Sequence, residues 1–125
     1  MIENKITGAV IGAAVEVHKL LGPGLLESAY EVALKKELEL RGFGVRQQVG
    51  LPVVYKNEKV DLGYRIDLLV EDKVVVEVKS VDALHDVHLA QILTYLRLSH
   101  RRLGLLINFN VKMLKDGIRR VIQGY

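Results

Sequence analysis

The chain has no cysteine and no tryptophan, only two prolines, and aromatic residues at just 6%. Without cysteine there are no disulfides, no thiolate nucleophile and no thiolate-bound zinc, so any metal must be held by oxygen or imidazole; the same absence fits a reducing compartment. So few aromatics exclude an extensive base-stacking platform for single strands. Long hydrophobic runs are also missing. The stretch ITGAVIGAAV, from Ile6 to Val15, is preceded by Glu3 and followed by Glu16, His18 and Lys19, whereas a membrane span needs roughly 20 apolar residues. A soluble, cytoplasmic protein is the expectation. No low-complexity tract or charged tail interrupts a composition of 50% hydrophobic and 26% charged residues, which argues against disorder.

What is present fits one domain over residues 1–125, long enough to bury roughly two thirds of the surface of its unfolded form. The balance of 18 Lys+Arg against 15 Asp+Glu gives a net charge of +3 and a pI near 9.2. That is a lean toward polyanions, shared by many unrelated proteins.

Ile2, Ile6, Val10, Ala13, Val17 and Leu20 recur at steps of three and four and predict a first amphipathic helix. Gly22-Pro23-Gly24 ends it, and a second helical pattern runs from Leu25 through Leu34 and Leu38 to Gly42. From Val45 the pattern shortens to β-rich runs, VRQQVGLPVVY, KVDLGYRIDLLV and KVVVEVKSV, which read as an antiparallel meander. Helical spacing returns over Leu84 to Leu98, then LGLLINF supplies a buried strand and GIRRVI a last one. The expected class is α/β, in the order α-α-β-β-β-α-β-(β).

Charges on the strands raise the first functional question. Side chains alternate along a strand, so Glu77 and Lys79 share a face, about 7 Å apart. A hairpin closed by the three residues Glu71-Asp72-Lys73 sets Asp67 of the preceding strand directly opposite Glu77. Facing carboxylates repel, by about 1 kcal/mol at 4 Å in water and about four times that at an effective dielectric of 20. A divalent cation between them reverses the sign, because Mg²⁺ takes carboxylates together with water and phosphate oxygens. The competing explanation is a solvated face whose charges keep an edge strand from aggregating.

Gln91 and Tyr95, spaced i, i+4, project from one face of the later helix. Glu27 lies three residues after Gly24, where a capping-box acid is favoured by the helix dipole, and Tyr30 follows at i+3, in a position that equally suits a core residue.

Taken together, these pieces resemble the PD-(D/E)XK nuclease superfamily, and more closely its small bacterial and archaeal members known by the signature G-x-x-E-x-x-Y. GLLESAY matches that signature at Gly24, Glu27 and Tyr30; VHKLLGPGLLESAYE, IDLLV, EVKSV, VHLAQILTYL and LINF extend the likeness over nearly the whole chain. The Gln91-x-x-x-Tyr95 pair is similar to the Q-x-x-x-Y element of RecB-type members. One departure is Ile66, where the superfamily often has proline before the aspartate.

The resemblance implies a mixed central sheet flanked by helices, and Mg²⁺-dependent (or Mn²⁺-dependent) hydrolysis of nucleic acid, DNA above all. Asp67 and Glu77 would hold the metal, with Glu27 as a further acid; Lys79 would sit at the attacking water, and Gln91 and Tyr95 would orient the site. Tyr30, His88, Arg97 and Arg101 are the expected substrate contacts, the two arginines from the basic run RLSHRR. His85 and His88, three apart with Asp82 and Asp86 nearby, offer a weaker zinc alternative. A homodimer is open, with no patch specifying it. So is the rival class, a module that keeps the fold and binds nucleic acid or protein without cutting.

Overall fold

The computed structural model describes residues 2–124. Helices α1 (Ile2–Leu21) and α2 (Glu27–Leu40) precede strands β1 (Val45–Gly50), β2 (Val53–Tyr55), β3 (Glu58–Val60), β4 (Arg65–Val70) and β5 (Val74–Lys79). Helix α3 (Asp86–Ser99), β6 (Leu103–Asn108), a 3₁₀ turn (Leu114–Gly117) and β7 (Ile118–Ile122) complete the chain.

Five strands form one mixed sheet in the order β1-β4-β5-β6-β7, in which β5 and β6 are parallel and the other neighbours antiparallel. The parallel pair needs a crossover, and α3 is that crossover. The expected three-strand meander is corrected here. Each of its first two runs is two strands, because Pro52 has no N–H to extend a ladder and Gly63 takes φ 81. The extra pieces, β2 and β3, make a separate hairpin turned by Lys56 and Asn57, both at positive φ.

Helices cover both sheet faces. On one, Val10, Ala13, Ala14 and Val17 of α1 and Leu34 and Leu38 of α2 pack on Leu68, Val70, Val76, Leu105 and Ile107. On the other, Ile92, Tyr95 and Leu96 of α3 pack on Leu69, Val75, Leu106 and Val121. Strand β6, flanked by β5 and β7, is buried along its whole length, as a strand covered on both sides must be. A Cβ at Gly104 of that strand would stand 2.9 Å from Ile92 Cδ1 and 3.1 Å from the Val75 carbonyl, so only glycine lets α3 come so close.

Two helix ends differ from expectation. Ile2 and Leu20 lie exposed at the ends of the α1 stripe. Helix α2 starts at Glu27 rather than Leu25, with extended Leu26 as its cap, since Gly22 and Gly24 carry the chain through left-handed conformations first. Among the described residues, no helix is long and apolar enough to cross a membrane.

Candidate active site

The β4–β5 hairpin pairs Val70 with Val74, Leu69 with Val75 and Leu68 with Val76. Its loop is therefore Glu71-Asp72-Lys73, with Glu71 and Asp72 at φ 53 and 57. That register, continued by one residue, sets Asp67 opposite Glu77, the even-sum pairing of residue numbers on which the sequence reading depends. There the ladder stops. The backbone N–H of Asp67 donates to Glu77 Oε2 at 2.9 Å, and that of Val78 to Asp67 Oδ2 at 2.9 Å. Each carboxylate thus takes a backbone proton that a regular ladder would have used, and both are fixed at a point where the strands part.

Glu77 is 3% exposed and Asp67 half-buried. Burial pushes the Glu77 carboxyl up to about 8, with the charge of Asp67 adding to the shift. Burial likewise raises Asp67 to about 6, against the lowering effect of the Val78 N–H. Such a pair is costly for a fold to keep unless something positive joins it.

The same opening occurs on the β1 side. Pairing runs Gln47 with Leu68 and Val49 with Ile66, skipping Gln48 and Asp67. Gln48 has φ 54, a left-handed conformation uncommon for a non-glycine residue. Neighbouring strand residues normally point to opposite faces, yet Gln47 and Gln48 both donate to the buried Glu31 of α2, at 2.6 Å and 3.0 Å. The turned backbone makes this possible, and it lets the Gln48 amide also reach Asp67 Oδ1 at 3.3 Å.

From the other helical layer, Gln91 of α3 accepts from Lys79 Nζ at 3.2 Å and donates through Nε2 to the Tyr95 hydroxyl at 3.2 Å. The Lys79 ammonium lowers the pKa of both carboxylates. Tyr95 is raised by burial and then by the charges of Glu77 and Asp67, so its ring lies in their field. Asp67, Glu77, Lys79, Gln91 and Tyr95 therefore lie in one connected neighbourhood. The loop beyond Lys79 is pinned by buried Asn108, which exchanges bonds with Val81 at 3.1 and 3.0 Å.

The remaining sequence candidates form no hydrogen bond to these five side chains. Glu27 is exposed at the first position of α2; the α2 acid whose charge raises both Asp67 and Glu77 is Glu31, one turn later. Tyr30 is fully buried rather than facing substrate. Its hydroxyl donates to the Gly22 carbonyl at 2.5 Å and accepts from the Leu25 N–H at 3.0 Å, while its ring stacks on Phe109 with centroids 4.6 Å apart. It anchors the loop before α2. His88 Nδ1 accepts from the His85 N–H at 2.9 Å and caps α3. Arg101 donates to Asp72 Oδ1 at 2.6 Å, at the hairpin turn, roughly 17 Å along the strands from the carboxylates. Arg97 is exposed on the last turn of α3, roughly 9 Å beyond Gln91 along the helix axis.

Sequence reasoning passed over Glu31 and Gln48. A signal existed for the first: Glu31 stands next to the stripe of Tyr30, Leu34 and Leu38, and an acid there has to find partners. Nothing in the sequence marks the left-handed turn at Gln48.

A family model described as the PD-(D/E)XK nuclease superfamily matches residues 4–121. The chain belongs to that superfamily. Neither the comparison with curated proteins nor that with solved structures finds a match. The mixed five-stranded sheet flanked by helices agrees with the superfamily fold, whose members are generally nucleases and typically use divalent metals. The donor set here fits such an ion: two carboxylates, hard oxygens, whose pKa values stay raised despite the Lys79 ammonium. Among the described residues no group of three or more acidic or histidine side chains is placed to hold a metal ion. Backbone carbonyl, water and phosphate oxygens would have to complete the coordination.

Proposed function

We propose that this chain is a metal-dependent nuclease of the G-x-x-E-x-x-Y group that hydrolyses phosphodiester bonds of DNA, with Mg²⁺ or Mn²⁺ held by Asp67 and Glu77. The observation that carries this reading is the carboxylate pair itself. Both acids are fixed by backbone N–H groups and pushed up by burial, Glu77 further by the charge of Asp67 and Asp67 by that of Glu31, an arrangement that a fold needing only stability would replace with uncharged residues.

A bound divalent cation supplies positive charge that polarises a phosphoryl oxygen. Everything else falls to the chain. Lys79, steadied by Gln91 Oε1, directs its ammonium at negative charge growing on the phosphoryl group as a water oxygen bonds to phosphorus and the P–O bond to the leaving oxygen breaks, the water's proton going to solvent and the leaving oxygen taking one from it. Gln91 in turn is fixed by Tyr95, whose ring is packed in the core under α3. Gln48 holds Asp67 in position from the β1 side, and Glu31 holds Gln48. Glu31 takes the place in the site that the signature motif suggests for Glu27. A nucleic-acid substrate is supported by the net positive charge, and a cytoplasmic setting by the absence of cysteine.

The test is cleavage of end-labelled DNA and RNA oligonucleotides with MgCl₂, MnCl₂ or EDTA. The wild type should cut DNA only with metal, and Asp67→Asn and Lys79→Ala should be at least about a hundredfold slower with unchanged circular dichroism. Cleavage persisting in both variants overturns the site. Binding without cleavage by the wild type favours the non-catalytic module.

A further inference from the structure

A groove of about 240 Å³ lies beside the site, between the β3–β4 loop and α3. Tyr64 lines it from the loop; Val87, Ala90, Gln91, Thr94 and Tyr95 line it from the helix, at spacings that put them on one helical face. The core leaves its rim uncovered, with Val87 69% and Tyr64 45% exposed. Two of its residues belong to the site: Gln91 accepts from Lys79, and Tyr95 accepts from Gln91.

Building on the nuclease reading, we propose that this groove receives one unpaired nucleobase of the strand whose phosphate lies at Asp67 and Glu77. The volume falls below the roughly 300–1,000 Å³ of a drug-sized pocket, which suits a single ring system and not a base pair. Tyr64 supplies an aromatic face, tilted 57° to the Tyr95 ring with centroids 6.3 Å apart, and stacking on such a face tolerates any base. Val87 and Ala90 give apolar contact, while the Gln91 amide and the Thr94 hydroxyl can bond the base edge. Base and phosphate of one nucleotide are joined through a single sugar, so a base site has to adjoin the phosphate site. Gln91 supplies that continuity, since it lines the groove and touches Lys79. A base inside a duplex cannot enter, because it is paired and stacked. The preferred substrate is therefore single-stranded, frayed or locally opened.

Fluorescence anisotropy in EDTA, with a fluorescein-labelled oligothymidylate and a blunt duplex of equal length, separates this inference from cleavage. The wild type should bind the single strand more tightly. Tyr64→Ala and the groove-filling Ala90→Tyr should weaken single-strand binding about tenfold and leave duplex binding unchanged; Tyr64→Phe should retain it. An oligonucleotide of abasic sites should bind the wild type as weakly as oligothymidylate binds Tyr64→Ala, and Tyr64→Ala should not distinguish the two. Equal single-strand affinity in wild type and Tyr64→Ala, equal losses on duplex and single strand, or no single-strand binding by the wild type each overturn the base site. Failure of the nuclease reading shows separately, as absence of metal-dependent cleavage.

Discussion

Gln48 and Asp67 face each other across β1 and β4 without pairing through their backbones; the side-chain amide of the first donates to Oδ1 of the second at 3.3 Å. This contact needs Gln48 at φ 54, a conformation costing on the order of 1 kcal/mol for a residue with a Cβ. The strain is offset by the bonds of the same amide to buried Glu31.

Substitution at Gln48 should therefore invert a familiar preference. In a regular strand alanine is more stable than glycine; here Gln48→Gly should be about 1 kcal/mol more stable than Gln48→Ala, because only alanine is strained at positive φ. Both should fall below the wild type by about 1–3 kcal/mol, since Glu31 loses a donor. Urea denaturation of the three proteins reads both differences.

Without metal, stability should decline as pH rises. Glu77 moves from an ordinary value near 4.5 to about 8 on folding, and Asp67 from 3.8 to about 6. A raised acid stabilises the folded state fully below its unfolded pKa and loses that contribution as pH climbs through its folded pKa. The loss should therefore run from about pH 4 to about pH 8, on the order of a few kcal/mol. Glu77→Gln should flatten the profile and melt higher than the wild type at pH 8 in EDTA. Added Mn²⁺ should raise the wild-type melting temperature at pH 8 and leave that of Glu77→Gln nearly unmoved. A flat wild-type profile contradicts the burial of this acid.

Helix α2 offers a choice between two acids one turn apart. Glu31→Gln should weaken Mn²⁺ binding about tenfold, because it disturbs the group that orients Gln48 and Asp67. Glu27→Gln, at an exposed position, should change it less. Isothermal calorimetry with MnCl₂ decides between them.

Tyr30→Phe keeps the stack on Phe109 and removes bonds to Gly22 and Leu25. A loss of about 1–2 kcal/mol in stability is expected, with Mn²⁺ affinity unaltered. A fall in affinity without a fall in stability would return Tyr30 to the site.

How far the site could be read beforehand varied with the range of the interaction. The Asp67–Glu77 juxtaposition was legible because a hairpin loop and strand parity fix it within eleven residues, and Gln91 and Tyr95 because helical spacing puts them on one face. Whether Tyr30 is a core residue or a substrate contact stays open in the sequence, because its burial depends on Phe109, brought beside it only by the completed fold. Glu31 rather than Glu27 is linked to Asp67 because Gln48, turned to positive φ, bridges the two, a turn that no local pattern reveals. Arg97 and Arg101 lay in a basic run whose position along α3 relative to the strand ends no local pattern reveals. The β2–β3 hairpin had a visible signal in Pro52.

Anomalous diffraction from a crystal soaked in MnCl₂ tests the carboxylate pair most directly. One peak about 2.1 Å from oxygens of both Asp67 and Glu77, absent in Asp67→Asn crystals, is the predicted result. A wild-type map with no peak there, or with manganese bound only elsewhere, contradicts the account.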